Sequence, residues 1–215
     1  MTKQTIIKIC GISDARVLDA VIAAGADMAG FVHFARSPRH LSLGEISELI
    51  SLARARIQSV VLLVDPDDAL VGEVKKLAPD IIQLHGKESP KRVEQIKAQT
   101  GLHVIKAVPV GDANDIKALK AYLGPADLLL LDAKPPKDAL RPGGLGATFD
   151  WNLLKALDGD IDYMLSGGLS PDNVAMAIKL VDPYGVDVSS GVEQAPGEKD
   201  LGLIKAFIAN ARRST

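Results

Sequence analysis

Few residues of this chain suit proton transfer or anion binding, and they recur at similar places. Cys10 lies in Lys8-Ile9-Cys10-Gly11, at the end of an apolar run. Arg39 follows another such run in the turn Ser37-Pro38-Arg39. His85 closes Gln83-Leu84-His85-Gly86, and Asp132 ends Leu128-Leu129-Leu130-Leu131. Two further runs open into Ser166-Gly167-Gly168 and Asp187-Val188-Ser189-Ser190-Gly191. A thiolate can take a proton, a carboxyl can give one, and a guanidinium fork fits a carboxylate. Small residues let backbone N–H groups close on a phosphate.

Each assignment has a plainer competitor. A lone cysteine is often a small buried hydrophobe. Lys8 and Cys10 share strand parity, so both side chains point the same way, and a nearby ammonium favours a thiolate. On that basis Cys10 is a general base helped by Lys8. Asp132 stands beside apolar walls, which hold a carboxyl in its protonated, acid form; a capping or salt-bridged loop aspartate is the alternative. Arg39 is either a carboxylate receptor or an exposed, solvated side chain. His85 is a weaker candidate, since a lone histidine commonly makes structural hydrogen bonds. The chain has four histidines and neither an H-x-H nor an H-E-x-x-H pattern, so no metal is expected.

Gly167-Gly168-Leu169-Ser170-Pro171-Asp172 leads into a predicted helix, where backbone amides and the helix dipole favour an anion. Neither this loop nor Ser189–Val192 contains Lys or Arg. A phosphate there would be held mainly by backbone N–H groups. The expected partner is a phosphorylated small molecule.

Elements that place these residues follow from periodicity. Strands are predicted at Thr5–Ile9, Met28–Phe34, Ser59–Val64, Ile81–Leu84, Val104–Val108, Leu128–Leu131, Tyr163–Leu165 and Val186–Val188. Helices are predicted at Ser13–Ala24, Leu43–Arg54, Asp67–Leu77, Ser89–Thr100, Asp112–Leu123, Trp151–Leu157, Asp172–Leu180 and Lys199–Arg212. Eight strand–helix pairs are what a closed (β/α)₈ barrel requires. Short strands apolar throughout suit a parallel sheet covered on both faces. An open doubly wound sheet shares the alternation, but it often carries its glycine-rich loop after the first strand. In a barrel, the residues singled out above stand at the C-terminal ends of strands, where such folds build their sites.

Composition narrows the field further. The chain has 215 residues, formal net charge −2, 47% hydrophobic and 4% aromatic content. These figures fit a packed α/β fold and argue against a nucleic-acid binder, which needs basic patches or stacking rings. One cysteine excludes an intrachain disulfide framework and a multi-thiolate zinc site. No apolar run approaches the ~20 residues of a membrane helix. The first residues also lack the ~7–15-residue apolar core of a signal peptide. The expectation is a cytoplasmic protein with residues 1–215 forming one domain and no membrane partner. Its oligomeric state, monomer or homodimer, is open.

Taken together, the motifs resemble the phosphoribosylanthranilate isomerases of tryptophan biosynthesis. The resemblance rests on Lys8-Ile9-Cys10-Gly11-Ile12, Gly30-Phe31-Val32, Ser37-Pro38-Arg39 and Gln83-Leu84-His85-Gly86. It continues through Arg141–Trp151, Leu165–Val174 and Asp187–Asp200, in order over nearly the whole chain. It implies a (β/α)₈ isomerase without cofactor that performs an Amadori rearrangement of N-(5-phosphoribosyl)anthranilate. It also implies Cys10 as general base and Asp132 as general acid, with Arg39 on the anthranilate carboxylate. His85 and Asp187 are expected to touch substrate, and Gly167, Gly168, Ser189, Ser190 and Gly191 to hold the phosphate.

Two positions depart from the family pattern: Leu145 replaces a usual threonine, and His33 a usual Phe or Tyr. Neither touches the acid–base pair. Other phosphosugar isomerases of this fold are implied to use paired aspartates, whereas the first strand here ends in Cys10. An indoleglycerol-phosphate synthase would need a catalytic lysine and an N-terminal extension; Lys106 lies in the fifth strand without the rest of that pattern. A phosphate sensor without activity would dispense with Cys10 or Asp132, and a redox role for Cys10 would need an external thiol.

Overall fold

The computed structural model describes residues 4–134, 142–144, 146, 148–157 and 161–214. Eight parallel strands close into a barrel in sequential order. They are β1 (Ile6–Cys10), β2 (Met28–Val32), β3 (Gln58–Leu63), β4 (Ile81–Leu84), β5 (His103–Val110), β6 (Leu128–Ala133), β7 (Tyr163–Leu165) and β8 (Gly185–Val188). The first and last pair directly, with Lys8 opposite Asp187. The barrel expected from the strand–helix alternation is therefore the fold. No described helix is long and apolar enough to cross a membrane.

The outer layer comprises α1 (Ala15–Ala24), α2 (Leu43–Ala53), α3 (Asp68–Leu77), α4 (Pro90–Thr100), α5 (Ala113–Leu119), α6 (Val174–Val181) and α7 (Leu201–Arg212). Their starts follow capping chemistry. Asp14, Ser42, Asp67, Ser89 and Asp200 each accept a backbone N–H from the first turn, which satisfies an orphan donor. Gly25 and Gly101 stop α1 and α4 with left-handed backbone.

Four helix expectations are adjusted. Helix α6 begins at Val174, because Asn173 is used in the preceding turn: its side chain accepts from Ser170 N and donates to Gly168 O. Helix α7 begins at Leu201, because Glu198–Lys199 forms β10, which pairs antiparallel with β9 (Glu193–Ala195). The stretch after α5 tightens into a 3₁₀ turn at Lys120–Tyr122, and Trp151–Ala156 is also 3₁₀.

Strand parity sorts the side chains. One set packs between strands and helices, as with Ile7, Phe31, Leu63 and Ile82 against α1 to α4 and α7. The alternate set fills the barrel. Its lower part is apolar: Met28, Val60, Ile81, Ile105, Leu130 and Met164 form one cluster. On β1, β4, β6 and β8 the inward positions further along turn polar or reactive, while β2, β3 and β5 continue with Gly30, Leu62 and Ala107. Ile6 gives way to Lys8 and Cys10, Ile81 to Gln83, Leu130 to Asp132, and Gly185 to Asp187. The period of two thus stacks a reactive layer on an apolar floor.

Outside the barrel, β5 carries a second buried cation. Lys106 Nζ donates to Glu88 Oε2 at 2.7 Å and to the carbonyls of Gly86 and Leu84. Glu88 also accepts the backbone N–H groups of Asp65 and Gly86. Tyr122 covers Lys106 and donates its hydroxyl to Glu88 O. This cluster pins the turn that carries His85. The lysine noted in the fifth strand is therefore paired on the outer face.

Removing one member of a buried ion pair strands the other, at a cost of about 3–5 kcal/mol. Glu88→Ala is expected to lower unfolding free energy in urea by that amount. A midpoint equal to wild type would show that the pair contributes nothing.

Candidate active site

A cavity opens at the C-terminal mouth of the barrel, with a volume of about 830 Å³ including its opening to solvent. Every residue singled out at a strand end lines it: Cys10, Arg39, His85, Asp132, Gly167, Gly168, Asp187, Ser189, Ser190 and Gly191. Positions scattered over 182 residues of chain, from Cys10 to Gly191, converge because parallel strands all point their C-terminal ends the same way.

The sulfur of Cys10 faces the cavity from β1. Gly30, its register partner on β2, makes room for it: a Cβ there would lie 2.9 Å from Sγ. Beneath it Lys8 is fully buried, and Nζ donates to Asp187 Oδ1 at 2.7 Å. Ser166 Oγ bonds the other oxygen of Asp187 at 3.2 Å. Burial opposes the charge on Lys8, yet Asp187 and Cys10 outweigh it and raise its pKa.

Opposing influences meet at the thiol. Burial pushes the Cys10 thiol above its ordinary pKa, although Lys8 and Lys199 pull it down; Asp187 adds to the rise. Lys8 is near, as parity required, and its pull on the thiol exceeds the opposing push of Asp187, but burial is larger still.

Asp132 stands on β6. Its Oδ1 accepts the N–H of Ala133 at 2.9 Å, and its Oδ2 lies 3.2 Å from His85 Nε2. Gln83 Nε2 lies 3.0 Å from the ring's other nitrogen. Asp132 is thus hydrogen-bonded to the histidine that follows β4, and among the described residues no lysine or arginine pairs with it. Gly143 sits directly above the pair, and a Cβ on it would meet His85 Nε2 at 2.6 Å and Asp132 Oδ2 at 2.7 Å.

Arg39 is buried, not solvated. Its Nε and Nη2 donate to the two oxygens of Glu193 at 2.6 and 2.7 Å. Nη1 points toward Gly144, where a Cβ would meet it at 2.6 Å. Lys199 Nζ bonds Glu193 Oε1 at 2.7 Å and the carbonyl of Ser189 at 2.9 Å. Burial lowers the Lys199 pKa despite Glu193. Burial would raise the Glu193 pKa, but Arg39 and Lys199 prevail and hold it low. One carboxylate between two cations leaves this corner with an excess of positive charge, which suits an anionic ligand.

Elsewhere on the cavity wall, Gly167 and Gly168 adopt φ of +84° and +65°, open to glycine without strain. Gly167 also packs on Asp132 and Ala133. Gly191 lies hard against the carbonyl of Leu169, so the loops after β7 and β8 interlock.

Glu193, Lys199, Gln83 and Ser166 were not assigned roles from the sequence. Glu193 and Lys199 fall within the Asp187–Asp200 motif, but their partner Arg39 lies 154 residues from Glu193, and no local pattern joins them. Gln83 and Ser166 share strand parity with His85 and Asp132-type inward positions, a signal that could have found them. His33 faces away from the acid–base pair, with Nδ1 bonded to Leu41 O at 2.8 Å and its ring beside His40. Leu145 lies outside the described residues.

Comparison with known proteins agrees with this arrangement. Residues 7–210 match the family model of N-(5'-phosphoribosyl)anthranilate isomerase. The N-(5'-phosphoribosyl)anthranilate isomerase of Rhodopseudomonas palustris (strain BisB5) is 52% identical over 212 residues, covering 98% of this chain and 97% of the relative. The crystal structure of the Thermotoga maritima enzyme superimposes with a TM-score of 0.88 at 36% identity, covering 98% of this chain and all of that one. A phosphoribosylanthranilate isomerase solved with reduced 1-(o-carboxyphenylamino)-1-deoxyribulose 5-phosphate gives 0.86 at 32% identity, with 98% and 100% coverage. With the motifs in order, the closed barrel and relatives matched end to end, this chain belongs to the N-(5'-phosphoribosyl)anthranilate isomerase family.

Proposed function

We propose that Cys10 and Asp132 are the general base and general acid with which this chain isomerises N-(5'-phosphoribosyl)anthranilate to 1-(o-carboxyphenylamino)-1-deoxyribulose 5-phosphate, a step of tryptophan biosynthesis. The observation that carries this is their placement: a thiol from β1 and a carboxyl from β6 line one cavity from different walls.

An Amadori rearrangement needs such a pair. Asp132 gives a proton to the furanose ring oxygen, and the bond from that oxygen to C1 breaks. The anilino nitrogen supplies the electron pair, leaving an iminium at C1. Cys10, as thiolate, then takes the proton from C2, and the C–H electrons flow to the iminium to give an enolamine. Its tautomerisation yields the ketone. No oxidant or reductant is consumed, since the hydrogen lost at C2 is regained at C1.

Burial of Cys10 has two sides here. It costs thiolate at rest, but a buried thiolate is a stronger base toward C2. Lys8 and Lys199 are placed to support the anion when it forms.

The two ends of the substrate find matching chemistry. The carboxylate meets Arg39 Nη1, presented by the Glu193–Lys199 support. The phosphate is held by backbone N–H groups of the Gly167-Gly168 and Ser189-Ser190-Gly191 loops. Asp187, fixed by Lys8 and Ser166, and His85 border the sugar between them.

A fluorescence assay following loss of phosphoribosylanthranilate tests the assignment. Cys10→Ala and Asp132→Asn are each expected to lower kcat by roughly 10²–10⁴-fold. An inactive wild type, or full rate in both variants, defeats the reading. Alkylation by iodoacetamide tests the thiol's environment. Only the thiolate reacts, so the raised pKa moves the rise in rate to higher pH. The midpoint is expected above the free-thiol value of about 8.5. A midpoint at or below it would mean that the lysines outweigh burial.

A further inference from the structure

One buried hydrogen-bond chain has no part in the steps above. It starts at Gln83, passes through the ring of His85 and ends on Asp132. Gln83 is fully buried, and its Oε1 finds no hydrogen-bond partner among the described residues. A buried amide with an unpaired oxygen is costly, and an apolar side chain of like size would avoid the cost. Its place in the reactive layer is explained by its other end.

A neutral imidazole has one N–H and one lone pair, and the partner of either nitrogen decides which is which. Gln83 Nε2 lies 3.0 Å from Nδ1 of His85. With the amide nitrogen donating there, the lone pair lies on Nδ1. The hydrogen then sits on Nε2, which lies 3.2 Å from Asp132 Oδ2. The same amide disfavours a doubly protonated ring, which would set N–H against N–H. The turn holding His85 is in turn fixed by Lys106 on the carbonyl of Gly86 at 2.8 Å.

We propose that Gln83 is a positioning residue that fixes the His85 tautomer, so that His85 is a hydrogen-bond donor to the carboxylate Asp132 becomes. The proposal rests on Asp132 being the general acid. When Asp132 gives its proton to the ring oxygen, negative charge appears on its two oxygens. Nε2–H is already aimed at one, and the Ala133 N–H bonds the other at 2.9 Å. Both donors are in place before the charge arrives, so little reorganisation is needed. With the opposite tautomer, the new anion would face a lone pair. His85 gains and loses no proton in this scheme; the transferred proton passes only between Asp132 and substrate.

The test reads the tautomer directly. Long-range ¹H–¹⁵N correlation spectra of ¹⁵N-histidine-labelled protein at neutral pH are recorded for wild type, Gln83→Glu and Gln83→Leu. Wild-type His85 is expected in the Nε2–H form. Gln83→Glu, whose carboxylate only accepts, moves hydrogen onto Nδ1. It lowers kcat roughly tenfold or more, with little change in KM. Gln83→Leu gives a mixture of tautomers and a smaller loss of kcat. Hydrogen on Nδ1 in wild type, or an unchanged His85 signal in both variants, overturns the proposal. The wild-type spectrum bears on this even if a variant fails to fold. Asp132→Asn separates the two claims: full rate there removes the acid assignment, whereas the His85 spectrum is independent of turnover.

Discussion

The barrel closes where its first and last strands meet, and that seam carries a buried ion pair. Lys8 and Asp187 are register partners across β1 and β8, 179 residues apart in sequence. Burying two charges is expensive, and their attraction offsets the cost only with good geometry and further hydrogen bonds. Ser166 supplies one such bond to Asp187. The seam is reinforced below, where Arg212 of α7 donates to Thr5 O and to Asp27. The pair also sets the electrostatics above it. Burial raises the Cys10 pKa, Lys8 pulls it down, and Asp187 offsets part of the lysine's pull.

Charge is organised around the mouth in three local arrangements. At the seam, one cation and one anion neutralise each other. At the Arg39 corner, two cations flank one anion, and the surplus faces the ligand. Around Asp132, the carboxyl meets the His85 ring and a backbone N–H. Each carboxylate therefore has a different task because of what stands next to it, not because of its own chemistry. Glu193 supports, Asp187 balances, and Asp132 is left able to exchange a proton.

Much of this was legible in the sequence, for physical reasons. Buried parallel strands read as continuous apolar runs, so all eight strands were visible, most with ends shifted by a residue or two. Strand ends in a barrel share one face, so Cys10, His85, Asp132 and Asp187 were placed at the site by counting alone. What escaped were relations carried by no local pattern. The Arg39–Glu193 pair joins β9 to a turn at the other end of the chain. The hairpin of β9 and β10 was hidden inside a stretch read as loop and helix start. The balance at Cys10 sets burial, the largest influence and one that strand parity does not show, against Lys8, with Asp187 offsetting part of the lysine's pull.

The seam also fixes an order in time. A ribosome releases β1 first and β8 nearly last, so a nascent chain carries Cys10 and Lys8 long before Asp187, Ser189 and Lys199 exist. Until then Lys8 has no anion to accompany it into an apolar interior, and the early strands have an open edge. Closure is a contact of very high sequence separation, which forms slowly and late. Assembly of the reactive layer is thereby tied to completion of the barrel: no half-made chain holds a working cavity.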